Sequence, residues 1–107
     1  MTPRLAGVKE EVPLTGVELH EMPVAGAAPG APLRASRFTI EAGCETTVDQ
    51  HPMHELWFIA QGRTEVYYDG AWSDAQAGDV LYFAPAKQHR TRNLGGERVM
   101  IYSVWWT

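Results

Sequence analysis

The apolar residues of this chain come in short β-prone runs, each ended by glycine or proline before it reaches the length of a stable helix. Leu33 to Ile40 stops at Ala42-Gly43, Leu56 to Ala60 stops at Gln61-Gly62, and Val80 to Phe83 lies between Gly78 and Pro85. Thr64 to Tyr68 runs into Asp69-Gly70, a dipeptide suited to the positive φ angles of a tight hairpin. Arg98 to Trp106 forms a longer terminal strand, in which Trp105 and Trp106 point to opposite faces. Val17 to Met22 alternates and predicts an early strand, whereas residues 25–32 read as an Ala/Gly/Pro loop. Many short strands joined by turns predict an all-β sandwich or small barrel.

A length of 107 residues suggests one domain, and 45% hydrophobic residues support an ordered core. Residues 1–32 are expected to supply an N-terminal arm and edge strands, or an arm exchanged between subunits, and residues 33–107 the barrel. The net charge of -4 gives no support for nucleic-acid binding, and Arg90 and Arg92 do not make a basic stripe. No apolar run is long enough to span a bilayer, and the first residues lack the apolar region of a secretory signal. The expectation is therefore no membrane and a cytoplasmic location. The single cysteine, Cys44, reads as a small packed or turn residue.

The chemistry is concentrated in two segments. Gly43 to Glu55 contains Asp49, His51, His54 and Glu55, and Gly78 to Asn93 adds His89. Carboxylates and imidazoles brought together from two hairpins suit a divalent metal ion. In an extended segment Asp49 and His51 share a face, with Glu55, Trp57 and Ile59 on the same parity. His54 has the opposite parity, and only a bend at Pro52 would turn it inward. His20 lies outside both segments and is expected to be incidental.

These spacings resemble the two motifs of the cupin superfamily. Gly43, Asp49-Gln50-His51, Glu55 and Gly62 match the first, which runs glycine, His-x-His, glutamate, glycine. Gly78, Ala84-Pro85-Ala86, His89 and Asn93 match the second, which runs glycine, Pro-x-Gly, histidine, asparagine. The departures are Asp49 for the first histidine, Ala84 for the proline and Ala86 for the glycine, so the second turn is expected to differ in backbone shape. The resemblance implies a single cupin-type β-barrel, a double-stranded β-helix of jelly-roll type. It also implies a metal site of His51, Glu55 and His89, with Asp49 as a fourth ligand or acting through a water.

Such a ligand set suits iron(II), manganese, nickel, cobalt or zinc. Two histidines and one carboxylate lead to dioxygenase-like chemistry on a chelating enol, catechol or keto acid. The alternatives are a non-redox metal-dependent isomerase, lyase or cyclase, or a cupin that binds a small molecule without turning it over. His54 and Tyr82 are candidates for the acid or base that such chemistry needs. Arg37, Trp57 and Tyr82 are candidates for substrate contact, and Ile59, Val80 and Thr91 for further cavity lining. The resemblance also implies a homodimer.

Overall fold

The computed structural model describes residues 2–107. Its elements in chain order are β1 (Val8–Glu10), β2 (Val17–Met22), α1 (Val24–Ala27), β3 (Leu33–Ile40), β4 (His54–Gln61), β5 (Arg63–Tyr68), β6 (Ala71–Gln76), β7 (Val80–Phe83), β8 (His89–Arg92) and β9 (Val99–Trp106). They form two antiparallel sheets, one ordered β1-β2-β3-β9-β4-β7 and the other β6-β5-β8. The all-β expectation holds.

Alternation along the strands sets the faces. Ser36, Phe38 and Ile40 of β3, Glu55, Trp57 and Ile59 of β4, and Val99, Ile101 and Ser103 of β9 are buried on the inner face of the large sheet. Val66, Ala75 and Thr91 are buried on the small sheet. Phe38 and Phe83 meet the Trp57 ring edge-on, at centroid distances of 5.3 and 4.7 Å. Such pairs add packing specificity beyond the area they bury.

Gly62 lets the chain leave β4 for β5 and so pass from one sheet to the other. Its φ is 83°, and a Cβ there would stand 2.8 Å from the Arg98 carbonyl oxygen. Asp69 and Gly70 both adopt positive φ and close the β5–β6 hairpin, as their sequence predicts. Asn93 is fully buried and ties three segments together. Its Nδ2 donates to the Ile40 and Glu97 carbonyls, and its Oδ1 accepts from Gly95 N–H.

Three strands carry weak signals in the sequence. β6 buries only Ala75, β1 buries nothing, and β8 is His-Arg-Thr-Arg, a polar strand recognisable only by its partners. Residues 25–32, read as a loop, begin inside one helical turn, closed by Ala28 N–H donating to the Val24 carbonyl at 2.7 Å. The arm pairs within its own chain, β1 on β2 and β2 on β3. Among the described residues, no helix is long and apolar enough to cross a membrane.

Candidate metal centre

β4 turns Glu55 and Trp57 inward and places His54 on the opposite side. The segment before it runs beside β8. Asp49 and His89 exchange two backbone hydrogen bonds, Asp49 N–H to the His89 carbonyl at 2.9 Å and His89 N–H to the Asp49 carbonyl at 3.0 Å. His51 is fixed from the other side, since its carbonyl accepts from Ala86 N–H at 2.7 Å. Ala86 has φ 66°, the left-handed conformation that a glycine adopts without strain. Ala86 therefore adopts a glycine-like backbone despite its side chain.

These constraints bring Asp49, His51, Glu55 and His89 together, with one ligand atom from each lying within 4.8 Å of the others. Glu55 Oε1 is 2.8 Å from His51 Nε2 and 3.1 Å from His89 Nε2. Asp49 Oδ2 is 3.8 and 3.7 Å from the same two nitrogens. An ion with bonds of about 2.1 Å spaces its ligands roughly 3–4 Å apart, so the donor set fits one divalent metal. The second oxygen of Glu55 is already engaged. Trp57 Nε1 donates to Oε2 at 2.8 Å, and the Ser103 hydroxyl donates to the same atom. That division leaves Oε1 as the glutamate's ligand atom and orients it.

His89 is buried and stacks on Phe83 at a centroid distance of 4.5 Å. Its Nδ1 is buried without a hydrogen bond of good geometry, although the Lys87 backbone favours a proton on the ring. Burial works against charge on both His89 and Glu55, but their contacts outweigh it. Hydrogen bonds from His89, Ser103, Trp57 and His51 hold the Glu55 carboxyl down at about 2. The Glu55 and Asp49 carboxylates hold the His89 pKa above its ordinary value. Asp49 differs from the other three in being exposed.

The four residues border a cavity of about 490 Å³. Val12, Leu14, Val17 and Leu19 line it from the N-terminal segment and β2. Phe38, Trp57 and Trp105 line it from the inner faces of β3, β4 and β9. Sequence reasoning did not place the N-terminal residues here, because nothing local to Val12 or Leu14 shows which surface they cover.

The other candidates lie elsewhere, apart from Trp57. His54 and Tyr82 meet on the outer face of the large sheet, with His54 Nδ1 2.6 Å from Tyr82 Oη, and His54 also stacks on Trp106. The expectation that they act on a substrate as acid, base or contact finds no geometry here, since strand parity turns both away from the cavity. Arg37 is likewise outward on β3, between the buried Ser36 and Phe38. Val80 is exposed, Ile59 belongs to the core, and the Thr91 hydroxyl bonds to Thr64 and the Glu65 carbonyl. Cys44 packs against the core, and a Cβ on Gly16 would collide with its sulfur at 2.3 Å. His20 sits near Glu18, away from the site.

The sequence profile of the cupin domain matches residues 36–105. The chain belongs to the cupin family. A cupin 2 conserved barrel domain protein from Salinispora arenicola is 30% identical, with 91% of this chain and 82% of that one covered and a TM-score of 0.75. A protein described as a predicted oxalate decarboxylase from Thermotoga maritima is 19% identical over 99% of this cupin and 98% of its own chain, with a TM-score of 0.81. KdgF from a Halomonas species is 19% identical over 92% and 86% of the two chains, with a TM-score of 0.73. The last two likenesses concern the fold alone. Among proteins with curated descriptions, none matches this cupin in sequence.

Proposed function

We propose that this cupin is a metal-dependent protein acting on a small organic molecule held in the cavity beside Asp49, His51, Glu55 and His89. The observation that carries the proposal is the convergence of two imidazole nitrogens and two carboxylate oxygens at the border of that cavity. A bound divalent ion would supply Lewis acidity toward an oxygen-bearing ligand or, as iron(II), a redox centre for dioxygen. The protein's own part is to fix the donors and limit water. Trp57 and Ser103 hold Glu55 in place, Phe83 holds the His89 ring, and the apolar wall restricts solvent.

The finer reading we favour is dioxygenase-like chemistry, supported by His51, His89 and Glu55 as two histidines and one carboxylate. A non-redox isomerase, lyase or cyclase would also need a base. His54 and Tyr82 face outward, which leaves the exposed Asp49 carboxylate to move a proton. A cupin that binds its ligand without turning it over needs no such group.

Metal analysis comes first. Protein purified and then supplied with iron(II) or zinc should retain about one ion per chain, and His89→Ala should lose most of it. Wild-type protein that binds no metal at micromolar supply would overturn the proposal. Oxygen uptake by the iron-loaded protein with catechol or an enol then separates the branches, with sustained uptake expected for dioxygenase-like chemistry. No uptake with any chelating substrate would remove that branch.

A further inference from the structure

The cavity is unequal in character, with charged groups at one border and hydrocarbon over much of the rest. Several polar groups beyond the ligands are committed, whereas the Ser36 and Thr47 hydroxyls, which also line the cavity, have no hydrogen-bond partner among the described residues. The Ser103 hydroxyl and Trp57 Nε1 both donate to Glu55. Thr46 Oγ1 accepts from Thr91 N–H at 3.0 Å and lies 3.4 Å from the Thr91 carbonyl. Among the described residues lining the cavity, Arg90 is the one lysine or arginine. Its guanidinium ends on Glu45 at 2.8 Å and lies 5.7 Å from the ring of Trp72, which is not part of the cavity wall. Its Nε is buried without a partner in the protein.

The charge balance adds a second constraint. A divalent ion held by the carboxylates of Asp49 and Glu55 and two neutral imidazoles has no net charge. A dianion placed on it would leave two negative charges beside Leu14, Leu19 and Trp105, with only Arg90, already paired with Glu45, to offset them. A sugar would find the Ser36 and Thr47 hydroxyls as partners and leave its remaining hydroxyls against hydrocarbon.

Resting on the metal-site reading above, we propose that the cavity selects an oxygen chelate that is neutral or singly charged and carries an apolar body of aromatic size. It discriminates against small dianions and sugars. The chelating oxygens face His51, Glu55 and His89, and the body lies against Val12, Leu14 and Leu19. A volume of about 490 Å³ falls within the range of small-molecule sites.

Zinc-loaded protein tests this without turnover. Benzohydroxamate and acetohydroxamate present the same singly charged oxygen chelate with different bodies, and oxalate presents a small dianion. Each is titrated by calorimetry and by tryptophan fluorescence, since Trp57 and Trp105 line the cavity. Benzohydroxamate should bind at least about tenfold tighter than acetohydroxamate, because each buried methylene-sized group is worth about fourfold. Oxalate should bind more weakly than benzohydroxamate. Leu14→Asn or Val12→Asn should reduce the phenyl advantage while leaving zinc affinity unchanged. Zinc-loaded protein that binds oxalate as tightly as benzohydroxamate, or the two hydroxamates equally, overturns the inference alone. Protein that takes up no zinc overturns the metal-site reading and the inference with it.

Discussion

Glu55 and His89 titrate in opposite senses, and that fixes how the metal-free protein responds to pH. His89 has its pKa raised by the Glu55 and Asp49 carboxylates against the effect of burial. Its contribution to stability is complete below the ordinary histidine value and is lost as pH rises through the raised folded value. Glu55 is held down at about 2, so its contribution is present above the ordinary carboxylate value and is lost only as pH falls toward that point. Metal binding requires neutral imidazole, so an ion must displace the His89 proton. The rise in Tm on adding zinc should therefore be smaller at about pH 6 than at about pH 8, and binding should release protons. Thermal unfolding across that range and calorimetry in two buffers check this. A zinc-induced shift independent of pH would mean that His89 is not a ligand.

At the scale of elements, the second turn is the place where one residue works against its own backbone. Ala86 holds φ at 66° while its N–H fixes the His51 carbonyl. Ala86→Gly should relieve left-handed strain of about 1–2 kcal/mol and, after the roughly 0.5–1 kcal/mol cost of glycine's greater freedom when unfolded, stabilise the protein by about 0.5–1 kcal/mol. Urea unfolding measures it, and a destabilised variant would contradict this account of the turn. The strands legible in the sequence are those whose apolar residues alternate or run together, such as Leu56 to Ala60. β6 and β8 were not legible, because Ala71–Gln76 is nearly all exposed and His89–Arg92 is polar throughout. His51, Glu55, His89 and Asp49 were legible because spacing in two motifs carried them. The misplacement of Tyr82 and Arg37 has a different cause. Alternation says that neighbours face opposite ways, but only the sheet order says which way is inward.

At the scale of the whole molecule, the outer face of β4, β7 and β9 is an apolar surface left uncovered among the described residues. Phe58, Val80, Tyr82 and Tyr102 are exposed there, and Phe58 pairs directly with both Val80 and Tyr102. If the expected homodimer forms, we propose this face as its interface. A two-fold interface sets a patch against itself, and this one brings no lysine, arginine or carboxylate from those strands to repel its copy. Wild-type protein should sediment as a dimer and Phe58→Asp largely as a monomer. A dimer unaffected by Phe58→Asp would move the interface elsewhere, and a monomeric wild type would remove it.

The cavity wall built from Val12, Leu14, Val17 and Leu19 precedes the stretch from 36 to 105 that the family shares. The ligands lie inside that stretch, at 49, 51, 55 and 89. Part of the cavity wall is thus written in a separate passage of the chain from the ligands, while Phe38, Trp57 and Trp105 complete the wall from within the shared stretch. Exchanging the leading segment between related barrels becomes a way to change which molecule is admitted while the ion and its ligands stay the same.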